Sequence, residues 1–252
     1  MTLLHHQTAG QGPAVVLLHS GVTDLRQWDP QWEALARRFR VVRFDRRGWG
    51  RSPLPTATAA PYSDAGDVVD LLDELGIEQA ALVGSSGGAV VAQQVASAWP
   101  HRVSRLVLLC ADAEDVEPTP AARAFADREE ELLEMGDVDA AVELNVETFL
   151  GPEATAETRA LVGEMQRTAF EVQLAAGDDV PREPGPAIEL SRAAMPAYVV
   201  SGALDLDYFS LAADALAERL PDARRTELPW AGHLPNLERP DEIASFLLDV
   251  LG

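Results

Sequence analysis

The chain has 252 residues, 47% of them hydrophobic and 24% charged, a length near the upper limit of one hydrophobic core and a composition that excludes a disordered or fibrous protein. Its 41 acidic and 20 basic residues leave a formal charge of −21, which would repel a nucleic-acid backbone or an anionic membrane surface. Every base is an arginine, so Schiff-base lysine chemistry, pyridoxal phosphate included, and the P-loop lysine are excluded.

The single cysteine, Cys110, rules out an internal disulfide framework, a CxxC redox pair and a thiolate zinc site. It closes the apolar run Leu106-Val107-Leu108-Leu109, a setting that suits a buried structural thiol. The opening Met1-Thr2-Leu3-Leu4-His5-His6 has neither a basic region nor a continuous apolar one, and no stretch approaches the roughly 20 apolar residues of a membrane span. A cytoplasmic location is expected, with small-molecule partners, no nucleic acid and no membrane, as a monomer or homodimer.

In chain order, apolar runs at 14–18, 40–44, 80–83 and 103–109 alternate with helical spacing at 28–39 and 63–75. Ser63 is the expected N-cap of the second helix, whose apolar stripe ends before Gly76. Such runs suit strands buried on both faces of a parallel sheet. The β pattern stops over 113–194, which is helical in character and holds 20 acids against six arginines. It resumes at 197–200, followed by a helix at 211–220, a weaker strand at 225–228 and a last helix at 241–251. The expectation is an α/β fold: an open, mostly parallel sheet flanked by helices, with residues 1–112 and 195–252 as the core and 113–194 as a helical cap. Residues 181–186 (PREPGP) read as a stiff return linker.

The strongest chemical signal is Gly84-Ser85-Ser86-Gly87-Gly88, a G-x-S-x-G between an apolar strand and a small-residue helix. A serine nucleophile on a sharp strand-to-helix turn needs glycines where strand and helix cross, and the helix amides then face developing negative charge. Ser86 is the expected nucleophile, with Ser85 its rival. Of the five histidines, His5 and His6 suit a solvated edge, His101 a helix end and His19 a structural strand end. His233, in the loop between the last strand and last helix, is left as the base. Asp205 directly follows a strand and completes the chain order Ser86, Asp205, His233. Asp207 and Asp112 are the alternatives.

Four motifs together resemble the α/β-hydrolase superfamily: Leu17-Leu18-His19-Ser20-Gly21, the run from Phe44 to Ser52 (FDRRGWGRS), the serine turn, and Gly232-His233. The likeness covers about 12–112 and 195–251. Residues 23–30 and 232–240 are more loosely similar to the 3-oxoadipate enol-lactonase and cofactor-free haloperoxidase groups. The resemblance implies an oxyanion hole from the backbone amides of Gly21 and Gly87. It gives Asp45 and Arg46 a bracing role in the loop leading to Gly48. Ser20 departs from the glycine usual there.

The resemblance also places 113–194 over the sheet's carboxyl edge, as a roof that sets specificity. Its charge of −14 argues for neutral or cationic substrates, unless an arginine such as Arg123, Arg128, Arg159 or Arg167 turns inward. Trp49, Phe149 and Leu206 are the candidate substrate-binding residues, with Met135, Met165 and Phe170 as further candidate walls. The resulting expectation is a serine hydrolase of a carboxylic ester or lactone, needing no cofactor and no metal. A lyase, perhydrolase or cyclase using the same triad, or a ligand receptor on the same fold, are the alternatives.

Overall fold

A computed structural model describes residues 4–177 and 180–252. Met1 to Leu3, part of the N-terminal reading, and Asp178 and Asp179 of the acidic segment lie outside the described residues. Seven strands form one sheet in the order β1-β3-β2-β4-β5-β6-β7. They are β1 (His6–Ala9), β2 (Ala14–Leu18), β3 (Arg40–Phe44), β4 (Ala80–Ser85), β5 (Val103–Leu109), β6 (Ala197–Gly202) and β7 (Ala223–Leu228). β1 pairs antiparallel with β3; all other neighbours are parallel.

The continuous apolar runs follow from burial on both faces. Along β2, Val16 and Leu18 enter one core cluster while Val15 and Leu17 enter the other. In β5, Leu106 and Leu108 divide from Val107 and Leu109 in the same way, as the two-residue period of a strand requires. The helices α2 (Asp64–Glu74), α3 (Gly87–Ala98) and α7 (Asp207–Arg219) cover the first face. The helices α1 (Asp29–Ala36) and α9 (Pro240–Leu251), the latter after the single turn α8 (Pro235–Glu238), cover the second. Ser63 caps α2, its side chain accepting from the Gly66 amide at 3.1 Å, an interaction typically worth about 1 kcal/mol. β1 carries no apolar signal because HQTA is a partly exposed edge strand, held by its register His6 to Phe44 through Ala9 to Val41. His6 therefore belongs to the sheet, and His5 bonds to Asp45 at 2.9 Å; neither is a loose solvated end.

Between β5 and β6 run α4 (Pro120–Glu134), α5 (Val138–Phe149) and α6 (Ala156–Ala176), capped by Thr119, Asp137 and Thr155. Leu132, Ala141, Val142 and Phe170 form a small apolar cluster of their own, whereas Phe149, Leu150, Val162 and Met165 join the main core. The return segment is tied down by a bridge from Arg182 to Tyr62.

The crossing of strand and helix at the serine turn is close. A Cβ on Gly88 would lie 2.4 Å from the His19 carbonyl oxygen, and one on Gly84 2.6 Å from the Ala89 Cα. Both obstacles are backbone and cannot swing aside. Gly88→Ala is expected to destabilise the fold by about 3 kcal/mol or more, the upper range for overpacking, measured as a fall in the urea midpoint at unchanged m-value.

Candidate active site

Ser86 follows β4 with φ 51° and ψ −122°, a positive φ that a residue with a Cβ adopts at a cost of about 1–3 kcal/mol. Its amide donates to the Leu109 carbonyl at 2.9 Å, and its own carbonyl accepts from Ala89 at 2.8 Å. These bonds hold the turn. Ser86 is half-buried, whereas Ser85 is fully buried with its hydroxyl unpartnered. Only Ser86 presents a hydroxyl at the surface of the turn.

His233 and Asp205 meet from the ends of β7 and β6. Nδ1 of His233 lies 2.6 Å from Oδ2 of Asp205, with side chains 2% and 0% exposed. The other carboxylate oxygen, Oδ1, accepts from the Leu206 amide at 2.8 Å. The imidazole is clasped by Phe149 and Phe209, with ring centroids 4.5 and 4.2 Å away. Its backbone amide donates to the Phe149 carbonyl at 2.9 Å. Glu238 anchors the same loop, accepting from the Gly232 amide at 3.0 and 3.1 Å; burial pushes its carboxyl above the usual range. Among the described residues no hydrogen bond joins Ser86 to His233.

Of the alternative acids, Asp207 accepts from the Thr119 hydroxyl at 2.5 Å. Asp112 feels the charge of His233, but burial holds its carboxyl above the usual range, and the direct bond to the imidazole is made by Asp205. Cys110 is fully buried, and burial together with Asp205 pushes its thiol well up. Cys110, Asp205 and His233 place one potential ligand atom each within 4.8 Å of one another, the single such group among the described residues. Asp205 and His233 already face each other, and the sulfur stays protonated. The trio therefore reads as a hydrogen-bonded pair backed by a thiol.

The loop after β2 is braced from beneath. His19 bonds through Nδ1 to the Ser20 carbonyl at 2.7 Å, so that nitrogen carries the proton, and Nε2 accepts from the Arg46 amide at 3.0 Å. Burial and the Arg46 charge hold His19 well below its ordinary value, so it is a neutral post. Ser20, the departure from glycine, joins a buried polar network through its hydroxyl, 3.1 Å from that of Thr23. Its backbone amide donates to Gln27 Oε1 at 2.8 Å, which also receives the Thr23 hydroxyl at 2.6 Å. Gln27 Nε2 reaches Asn236 Oδ1 at 3.1 Å, and Gln31 Nε2 the Asn236 carbonyl at 2.9 Å. The Trp49 indole donates to the Gly21 carbonyl at 2.7 Å, which fixes the orientation of that peptide. A Cβ on Gly87 would sit 3.7 Å from the Gly21 amide nitrogen, so the two glycines stand side by side. As a first-turn residue of α3, Gly87 has no intrahelical acceptor for its amide.

A family model described as the alpha/beta hydrolase family matches residues 15–246. The chain belongs to that family. Among relatives, it is 33% identical to the pimeloyl-[acyl-carrier protein] methyl ester esterase of Chromobacterium violaceum, over 97% of this chain and 96% of that one. An uncharacterized protein of Mycobacterium tuberculosis is 39% identical over 103 residues, 41% of this chain but only 30% of that longer protein. Among solved structures, the enol-lactonase from Burkholderia xenovorans LB400 superposes with a TM-score of 0.77 at 28% identity, covering 98% of this chain and 96% of that one. The alpha/beta hydrolase fold is thereby established. Among the described residues no helix is long and apolar enough to cross a membrane.

Within this alpha/beta hydrolase frame the remaining expected residues fall differently. Asp45 braces, accepting from the amides of Leu25 at 2.8 Å and Arg51 at 2.9 Å. Arg46 braces the loop to Gly48 through its backbone, its carbonyl accepting from the Trp49 amide at 3.0 Å and its amide donating to His19 Nε2 at 3.0 Å. Arg47 adds a grip on Asp67 with two bonds of 2.6 and 2.7 Å. Leu206 contributes its amide to Asp205 and packs its side chain on the main core. Met135 is 70% exposed at the end of α4, so it lines nothing; Met165 is core and Phe170 packs within the α4–α6 cluster. Arg128 and Arg167 pair with Glu131 and Asp139 on the surface, Arg159 binds carbonyls of the α5–α6 turn, and Arg123 is exposed. His101 is exposed in a short turn before β5. Phe209 went unforeseen; an aromatic residue in the first turn of the helix after the acid is the signal that could have found it.

Proposed function

We propose that this chain is a serine hydrolase that cleaves a carboxylic ester or lactone through an acyl-enzyme on Ser86. The observation that carries the reading is the buried 2.6 Å contact between His233 and Asp205, on the same carboxyl edge of the sheet as a serine held at φ 51°. With Nδ1–H donating to Asp205, Nε2 of the neutral imidazole is left as an acceptor. Ser86 Oγ attacks the substrate carbonyl carbon as its proton passes to Nε2. Asp205 stabilises the imidazolium that forms. The amides of Gly21 and Gly87 receive the oxyanion, each donor worth about 3 kcal/mol. The imidazolium then protonates the leaving oxygen, and water deprotonated by His233 releases the acid.

In this reading α4–α6 form the cap and Phe149, whose ring touches the imidazole, contributes to the substrate wall. Trp49 acts through the Gly21 peptide rather than as a wall alone. The enzyme needs neither metal nor organic cofactor, works on small molecules, and is placed in the cytoplasm as a monomer or homodimer. A fluorophosphonate probe followed by intact-mass analysis tests the reading. One adduct, mapping to the peptide containing Ser86, is expected on the native protein; an unmodified protein, or an adduct on another serine, would refute it.

A further inference from the structure

The loop that carries His233 is fastened to the end of α5. The His233 amide donates to the carbonyl of Phe149, the last residue of that helix, at 2.9 Å. That carbonyl is one of the four that a helix end leaves without an intrahelical donor. The carbonyls of Leu150 and Gly151, next in the chain, accept from the Arg159 guanidinium of α6 at 3.2 and 2.7 Å. Gly232 and Gly151 pass backbone to backbone. A Cβ on Gly232 would lie 2.6 Å from the Gly151 nitrogen and 3.0 Å from the Phe149 oxygen.

Glu238, the last residue of α8, lies at this crossing and is 6% exposed. Both its oxygens are within 3.1 Å of the Gly232 amide, and the amides of Gly151 and Leu234 also favour its charged form. A Cβ on Gly151 would fall 2.2 Å from Oε2 and 3.1 Å from the carboxyl carbon, so glycine is what lets the α5 end approach the carboxylate. Among the described residues no cation pairs with Glu238; its neighbour Arg239 is taken by Glu153 and Glu242. A buried carboxylate is costly unless donors replace its water. Here backbone amides do so, and they come from two segments. Gly232 and Leu234 flank the base, whereas Gly151 belongs to the turn after α5.

Resting on the serine-hydrolase reading, we propose that Glu238 is a positioning residue for the base. Its carboxylate clips the Gly151 turn to the His233 loop and so sets the station of the imidazole. A shift of that loop breaks bonds at the carboxylate, and a shift of the α5 end pulls on the His233 amide and on the Phe149 ring, 4.5 Å from the imidazole. In acylation the imidazole works twice, taking the serine proton and then giving it to the leaving oxygen. The second task decides the rate for a strongly basic alkoxide, which departs only with a proton, and matters least for p-nitrophenolate. A displaced base therefore fails first on alkyl esters. A smaller folded fraction lowers turnover of every ester by one factor.

The test compares kcat/KM, which covers the steps up to the acyl-enzyme, for methyl butyrate and p-nitrophenyl butyrate, two esters of one acyl group. Glu238→Gln keeps the size of the side chain and one oxygen but turns an NH2 group towards backbone amides, donor against donor. It is expected to lose about 100-fold on the methyl ester and about 10-fold on the p-nitrophenyl ester, the scale of a base misplaced by about 1 Å. Gly151→Ala, which presses on the same carboxylate from the α5 side, is expected to lose activity with the same bias. Native kinetics in Glu238→Gln, or equal losses on the two esters, would overturn the proposal. Hydrogen–deuterium exchange reads the clip without turnover. In Glu238→Gln the peptides containing Phe149 to Gly151 and Gly232 to Leu234 are expected to exchange faster together, with β4 and β5 unchanged. Faster exchange in the His233 loop alone, or loss of protection throughout the protein, would overturn the proposal. A native protein that hydrolyses neither ester and takes no fluorophosphonate would refute the hydrolase reading, while the paired change in exchange would leave the clip standing.

Discussion

Replacing Ser86 by alanine is expected to lower kcat/KM for p-nitrophenyl acetate by about 10⁶-fold, the scale seen when a nucleophile acting with its base is removed. The fold should survive. Among the described residues no hydrogen bond of the turn uses the serine Oγ, and the turn is closed by backbone bonds to Leu109 and Ala89. Turnover measured beside a thermal melt checks both halves. Activity within tenfold of the native enzyme would remove Ser86 from the mechanism and reopen the lyase and receptor readings. Unfolding would instead show that the hydroxyl has a structural role the backbone geometry does not reveal.

Asp205→Asn is expected to cost about 10⁴-fold in kcat with the structure intact, and the local bonding gives the reason. One carboxylate oxygen accepts from the Leu206 amide at 2.8 Å and the other from His233 at 2.6 Å. Asparagine has a single oxygen. With that oxygen kept on Leu206, its amino group faces Nδ1 and donates to it, so the ring proton moves to Nε2. The imidazole then offers Ser86 a donor where it must offer an acceptor. Steady-state kinetics of Asp205→Asn beside Asp112→Asn and Asp207→Asn makes the comparison. A larger loss at either of the other two positions would move the acid there.

The parts of the fold legible in the sequence are those whose signal is local. Runs such as Ala14–Leu18 and Val103–Leu109 announce strands because both faces are buried. Ser63 announces a helix start because its oxygen caps a backbone amide three residues on. The serine turn is legible because Gly84 and Gly88 are demanded by close backbone contacts within a few residues. β1 escaped, since four residues of an edge strand carry no burial pattern of their own. At the site, Ser86, Asp205 and His233 could be nominated by motif and chain order, and the structure brings the last two into contact. Nothing local singles out Arg46 from Arg47. The difference lies in partners supplied by distant segments, Asp67 for one and an Asp64 already claimed by Arg182 for the other.

The Ser20–Gln27–Asn236 network joins side chains more than two hundred positions apart in sequence, Gln27 to Asn236 being separated by 209. Asn236 stands three residues beyond His233, and Ser20 one before Gly21, so the loop after β2 and the loop carrying His233 share one foundation. Substitutions at its two ends are then energetically coupled rather than additive. A change of acyl preference obtained by reshaping the turn at Ser20 shifts the station of the imidazole as well.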